Sequence, residues 1–291
     1  MNTPLSIITA IHNGLPMNRL FWKALTENTQ TPFELIIVDN HSTDGSGQFF
    51  RALEEETRGQ KHEVVYLPNS KNQSYPRSQI QGMEAARYEV LCFLNNDIWM
   101  PQGWEKPFVE ALQADSRLIL SPSGQEAQPT QLFSTNLKRR WKNILSLSKV
   151  WAFLLHKTEE ERLWKSLSWM YGDLKNFVSP TPNDQEWMPG IKGDSVIFHR
   201  ELSKIIGSPW DLRIQAADWH LYLTAASYHE KDPSFPLPRV LLKSYIHHFG
   251  RYSARQTYEP LEDRESFKTI EEIWDPETVK RLWWGFHLPQ E

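Results

Sequence analysis

Val90-Leu91-Cys92-Phe93-Leu94-Asn95-Asn96-Asp97-Ile98-Trp99-Met100-Pro101 is an apolar run that stops abruptly at two amides and a carboxylate. Five uncharged side chains in succession predict a strand buried on both faces of a sheet. Asn95, Asn96 and Asp97 then stand at its carboxyl end. In open α/β sheets ligands bind in the crevice outside that end, where loops from several strands converge. An oxygen-rich cluster there suits a hard divalent ion shared with the phosphates of a ligand, because magnesium and manganese take oxygen ligands with one or two protein carboxylates. A polar turn that ends the strand is the plainer reading of the same residues.

Outward from this stretch the chain alternates. Residues 5–11 are a β-branched run that breaks at His12-Asn13-Gly14, and residues 19–27 have helical spacing. Residues 33–38 form the next strand pattern, closed by Asp39 to Gly47; helical spacing resumes at Gln48. Residues 64–67 read as a strand, residues 78–87 as a helix, and residues 118–122 as a strand after the Val90 run. This is the βαβ rhythm of a mostly parallel sheet. Right-handed crossovers return every parallel strand in one direction, so His12, Asp39, Asp44 and Asp97 gather at one rim. One rim carboxylate can then bond a base or ribose, and another can hold a metal on the phosphates. Asp39 can equally be a strand-ending turn residue, and Asp44 or Ser46 a helix cap.

The chain has 291 residues, 40% of them apolar, enough for one compact catalytic unit. Its formal charge of −4 gives no reason to expect a nucleic-acid partner, whose phosphates would demand a basic surface. The only dense basic patch is Lys138-Arg139-Arg140-Trp141-Lys142. A single cysteine, Cys92, lies inside the apolar strand, which predicts an inert buried thiol, a reducing compartment and a cytoplasmic location. No secretory signal is visible at the N-terminus, and no apolar segment approaches the ~18 residues of a membrane span. Thirteen tryptophans suit sugar or membrane-surface contact, or ordinary core packing.

Ile7-Ile8-Thr9-Ala10-Ile11-His12-Asn13, followed by Val38-Asp39-Asn40-His41-Ser42-Thr43-Asp44-Gly45-Ser46, resembles the opening of the family 2 glycosyltransferases, inverting enzymes of the GT-A type that use nucleotide sugars. The next landmark of that family is an Asn, a Gly and an aromatic residue, with a later Gly; here Asn72-Gln73-Ser74-Tyr75-Pro76-Arg77-Ser78 through Gly82 stands there. Ser74 replaces the usual Gly and Ile80 a usual Asn. Leu94-Asn95-Asn96-Asp97 falls where the family carries its metal-binding motif, which implies Asp97 as a ligand of Mn2+ or Mg2+. The resemblance implies a Rossmann-like, mostly parallel α/β sheet flanked by helices. It also implies donor contacts from Thr9, Ala10, His12, Asp39, Asp44, Asn72, Arg77, Asn95 and Asn96.

Residues 136–156 carry apolar residues at helical spacing with basic residues between them, and residues 159–171 read as a second helix, ended by Ser179-Pro180-Thr181-Pro182-Asn183. The basic helix either rests on a membrane surface near a lipid-linked acceptor or forms an insertion over the site with a solvated basic face. The resemblance returns at Met188-Pro189-Gly190-Ile191-Lys192-Gly193-Asp194-Ser195-Val196, then at Arg200-Glu201, Gly207 and Trp210-Asp211. Gly193, Asp194 and Trp219 are implied on the acceptor side. Of the acidic pair that opens the next helix in the family only the second member is present, in Ala216-Ala217-Asp218-Trp219, and Asp218 is implied as the general base. Residues 241–248 read as a late strand ending in His247 and His248, which cannot both point inward; His248, with the better spacing to Ser253, is implied as a metal ligand.

These readings divide the chain into a nucleotide-sugar-binding half (1–127), a helical insertion (128–187), an acceptor-binding half (188–258) and a helical C-terminal tail (259–291) that docks on the core or on a second subunit. The expected activity is metal-assisted transfer of a sugar from a nucleotide diphosphate donor to a saccharide, lipid-linked or protein acceptor. A non-catalytic nucleotide-sugar or carbohydrate binder of the same fold is the alternative, and a nucleotidyltransferase a third. The third lacks support because no Gly-rich, Lys- or Arg-bearing phosphate loop follows the first strand.

Overall fold

The computed structural model describes residues 3–182, 185–250, 260–264 and 267–284. Ser253 and Glu259 lie outside the described residues, as do Asn183 and the side chain of Trp284. In chain order the elements are β1 (Leu5–Ile11), α1 (Leu15–Asn28), β2 (Phe33–Asp39), α2 (Ser46–Thr57), β3 (His62–Pro68), α3 (Tyr75–Ala85), β4 (Val90–Leu94), β5 (Ile98–Trp99), α4 (Lys106–Ala114) and β6 (Ile119–Ser123). Then come α5 (Gln131–Leu154), α6 (Glu159–Tyr171), β7 (Trp187–Pro189), β8 (Ser195–His199), α7 (Leu202–Ile206), α8 (Ala217–Lys231), β9 (Arg239–Tyr245), β10 (His247–His248), α9 (Ile270–Ile273) and α10 (Pro276–Val279).

Eight strands form one sheet in the order β3-β2-β1-β4-β8-β6-β9-β7. Only β8 and β7 run against the others. The β4 run is wholly buried because the sheet is covered on both sides, as the continuous apolar sequence requires. Val90, Cys92 and Leu94 face one apolar cluster with α1, α4, α5 and α6; Leu91 and Phe93 face the other, with α3, α7 and α8. Cys92 is buried, and burial pushes its thiol pKa well up, so it is an inert core residue. Trp99, Trp104, Trp141 and Trp210 are core residues as well.

Gly82 shows how tightly the layers meet. A Cβ at this position of α3 would overlap Ile8 Cγ2 on β1. Gly82→Ala is therefore expected to cost about 1–3 kcal/mol of stability through overpacking. A urea midpoint equal to that of the unmodified protein would contradict this.

Two expectations from the sequence need correction. The basic helix begins at Gln131, five residues before 136, because Thr130 Oγ1 accepts the Phe133 N–H (3.3 Å) and caps it. It ends before His156, which takes a left-handed backbone at φ 49. Nor is residues 241–248 one strand. Pro122 of β6 has no N–H to continue the ladder, the register slips between Pro122 and Ser123, and the chain leaves the sheet at Ile246. His247 and His248 then pair antiparallel with Trp99 and Ile98 in a separate two-stranded sheet. In the tail, Leu282 is fully buried with Tyr222 of α8, and the Trp283 ring stacks on Trp219 at 4.2 Å.

Candidate active site

The strand ends build the site. β4 stops at Leu94, and the Asn95 N–H donates to the Asp194 carbonyl (2.9 Å), which ties the end of β4 to the start of antiparallel β8. Asp97 comes next, and its carbonyl accepts the Phe249 N–H (2.9 Å). The two-stranded sheet thereby brings His248 onto Asp97. His248 Nε2 lies 3.4 Å from Asp97 Oδ1, while its Nδ1 lies 3.3 Å from Asp194 Oδ2 and 3.7 Å from Glu126 Oε1. The buried Lys192 ammonium lies 2.8 Å from Asp194 Oδ1.

Three carboxylates thus surround one imidazole and one ammonium. Burial alone would lower the His248 pKa, but Asp194, Asp97 and Glu126 outweigh it and raise it to about 10. Burial would raise Asp194; Lys192 and His248 hold it below its ordinary value. Glu126, on the exposed side of the cluster, is partly desolvated, which would raise it, but His248 and Lys192 lower it. His247 turns the other way, fully buried beneath Trp141 and beside Tyr171, and burial with the neighbouring cations keeps it neutral. The two histidines thus turn to opposite sides, His248 toward Asp97 and Asp194 and His247 toward Tyr171.

Glu126, Asp194 and His248 offer ligand atoms all within 4.8 Å of one another. An imidazole nitrogen with carboxylate oxygens is the donor set that manganese or magnesium takes. His248 Nδ1 is buried and faces the Asp194 and Glu126 carboxylates, and a bound cation would take the place of the proton that those carboxylates hold on the ring. The residues therefore fit a divalent ion.

Asp218 lies beside this group, at the start of α8. A Cβ on Gly193 would run into Asp218 Oδ2, so only glycine lets the carboxylate lie against that backbone. Burial raises the Asp218 pKa, with Asp194 adding to the effect. The Tyr75 hydroxyl donates to the Gly193 carbonyl (3.3 Å) and faces both acids. Ala217, where the family usually has its first acid, is fully buried in the apolar cluster of Phe93, Phe198 and Trp210. The position faces the core, so its side chain takes no part in the rim.

Other residues of the rim have local partners. Asp39 is nearly buried and accepts from the Ser42 N–H (2.9 Å) and the Tyr66 hydroxyl (2.7 Å). Asp44 accepts the Leu15 N–H (2.8 Å) at the start of α1 and the Ser46 hydroxyl (2.6 Å) at the start of α2. Its negative charge thus lies at a helix N-terminus, where the helix dipole favours an anion. His12 Nδ1 donates to the Asn40 carbonyl (2.6 Å), and Asn96 donates to Asn18 of α1 (2.7 Å). Thr9 is buried with its hydroxyl unpaired, and Ala10 is half-buried.

Asn72 and Arg77 meet the tail. The Asn72 carbonyl accepts the Glu262 N–H (2.9 Å), and Arg77 Nε lies 3.4 Å from Asp263. Asp263 also takes the Ser74 N–H (3.1 Å) and hydroxyl (2.5 Å). The serine that replaces the family glycine thus anchors the tail across the start of α3. The sheet gathers Asp97, Asp194, His248 and Asp218, while Asn72 and Arg77 contact the tail, Asp44 the starts of α1 and α2, and Trp219 the Trp283 ring.

Residues 6–171, more than half of the chain, match the family description Glycosyl transferase family 2. The chain belongs to glycosyl transferase family 2. This family 2 chain is 25% identical over 131 residues to EpsH of Bacillus subtilis (strain 168), itself only provisionally named a glycosyltransferase. The match covers 45% of the chain and 37% of that relative's length. Among solved structures it is similar to the mannosyltransferase PcManGT of Pyrobaculum calidifontis, in complex with GDP-Man and Mn2+. The TM-score is 0.56 at 15% identity, over 86% of this chain and 59% of the other. It is also similar to GalNAc-T7 with UDP, GalNAc and Mn2+, with a TM-score of 0.54 at 11% identity, over 97% and 50%. These likenesses identify the fold, and the family 2 chain has the expected α/β architecture of the GT-A type.

Glu126 and Lys192 are not among the residues that the sequence motifs point to for the site. Glu126 stands three residues past β6, on the same sheet edge as Asp97, so the strand-end rule that singled out Asp97 also points to it. Lys192 gave no signal, since a lysine between two glycines reads as loop.

Proposed function

We propose that the chain is an inverting glycosyltransferase that moves a sugar from a nucleotide diphosphate donor to an acceptor hydroxyl. The observation that carries this reading is the convergence of Asp97, Asp194, Glu126 and His248 next to Asp218 at the carboxyl edge of a GT-A sheet. Asp97, His248, Asp194 and Glu126 would hold manganese or magnesium. The bound ion would offset the negative charge that builds on the departing diphosphate. Lys192, behind Asp194, holds that carboxylate ionised.

Asp218 takes the proton of the acceptor hydroxyl as its oxygen attacks the anomeric carbon and the bond to the diphosphate breaks on the opposite side. A carboxylate with a raised pKa is the stronger base, which suits this role. Gly193 and Trp219 line the acceptor side. Asp39, with Thr9, Ala10 and His12, holds the nucleoside, and Asp44, Asn72, Arg77, Asn95 and Asn96 support the donor. Residues 1–127 form the donor half and 188–258 the acceptor half, with 128–187 as the insertion and 259–291 as the tail. The single, buried cysteine accords with a cytoplasmic site of action.

The test is calorimetric titration with UDP and GDP in the presence of manganese and again with chelator. Tight binding that needs the ion supports the reading, and binding that ignores the chelator contradicts the metal assignment. Asp39 has its own test, since Asp39→Asn sets an amide N–H against a donor group. Donor affinity should weaken by about 1–3 kcal/mol. If calorimetry finds it unchanged, Asp39 holds only its turn.

A further inference from the structure

We propose that the outward face of α5 docks on an anionic lipid surface. The inner face of α5 carries Leu137, Trp141, Ile144, Ser148 and Ala152, all buried. The last turns of the outer face carry Leu147, Val150, Phe153 and Leu154, and Leu155 follows; Phe153 is 81% exposed and the others more than half. Leu147, Val150 and Leu154 follow the i, i+3, i+7 spacing of one helix side, and Phe153 adjoins them. Large apolar side chains concentrated on one exposed face mark a contact surface.

Charge identifies what the face meets. Lys138, Arg139, Arg140, Lys142 and Lys149 are all exposed, and α5 has no acidic residue, in a chain whose formal charge is −4. Among the described residues none of these five is in an ion pair. Cations beside protruding Phe and Leu side chains are the composition of a helix lying in a bilayer interface, with the apolar side chains among the acyl chains and the cations on anionic headgroups. A second copy of the chain fits poorly, since a two-fold contact through this face would oppose two sets of five cations. No helix among the described residues is long and apolar enough to cross a membrane, so the contact is peripheral.

The face is one helix thickness from the rim. On the inner side of α5 the Trp141 ring lies 4.2 Å from that of His247, and Trp141 Nε1 donates to the Phe249 carbonyl (3.5 Å). Docking through α5 would therefore hold the His247–His248 strand close to the bilayer. The docking itself does not depend on the transferase reading, and donor titration of the same samples keeps the two separable.

The test is co-sedimentation of the full chain with phosphatidylcholine vesicles, with and without about 30 mol% phosphatidylglycerol. The unmodified protein should pellet with the anionic vesicles and lose most of this binding when salt is raised from about 0.1 M to about 0.5 M. Phe153→Ser with Leu154→Ser, and separately Arg139→Glu with Lys142→Glu, should each lower the partition coefficient by about tenfold or more. All four positions are exposed, so the variants should keep the circular dichroism and melting temperature of the unmodified protein. Protein that stays in the supernatant with anionic vesicles would overturn the proposal, as would variants that bind like the parent. Self-association or nucleic-acid binding that these substitutions abolish, without vesicle binding, would assign the face to another occupant and overturn it as well.

Discussion

Asp218→Asn should lower turnover by about 10²-fold or more while leaving donor affinity nearly unchanged, because the loss lies in proton transfer and not in ground-state binding. The amide keeps the shape that lies against Gly193. The pH profile gives a second reading of the same group. A base works only when deprotonated, so activity falls as pH drops through its folded pKa. Burial raises that pKa, so the acid limb should lie higher than an ordinary aspartate would place it and should vanish in the variant. Near-normal turnover with the same limb would place the base elsewhere, at Asp194 or Asp211. Both are already engaged: Asp194 with Lys192 and His248, and Asp211 with Arg213, which holds its carboxyl at about 2.

Asp97→Ala should abolish manganese-dependent binding of a nucleoside diphosphate and leave the fold intact. The side chain is nearly buried and lies on His248. On the proposed reading Asp97 is a ligand and not merely an outer partner, so affinity should fall by more than the roughly 10–100-fold that loss of an outer partner produces. Calorimetry with and without chelator reads this directly. Equal affinity in the variant and its parent would remove Asp97 from the metal site.

The parallel half of the fold was legible because each strand is a run of apolar residues closed by a polar loop, and buried parallel strands have to read that way. The helix read at residues 159–171 is α6 to the residue, and its start is fixed by a Thr158–Glu161 capping box. The run through residues 241–248 was not legible, because its break depends on the register of β6 at Pro122, far away in sequence. The direction of β8 was invisible for the same reason, since no local signal distinguishes a parallel from an antiparallel neighbour. In the site, Asp97 could be named from its strand end, and His248 from the family resemblance and its spacing to Ser253. Glu126 and Lys192 join them only through the pairing of β6 with β8 and the bend after β9. Ala217 appeared to be a missing acid; its burial beneath Phe93 and Trp210 makes it a core residue instead.

Donor hydrolysis by the unmodified protein tests the central claim most directly. Many transferases slowly pass sugar to water, so incubation with a panel of nucleotide diphosphate sugars and manganese should release nucleoside diphosphate and free sugar from at least one donor, and chelator should stop it. Binding of a donor with no release of sugar would contradict turnover and leave a carbohydrate or nucleotide-sugar binder. Release of pyrophosphate would contradict the transferase reading in favour of nucleotidyl transfer.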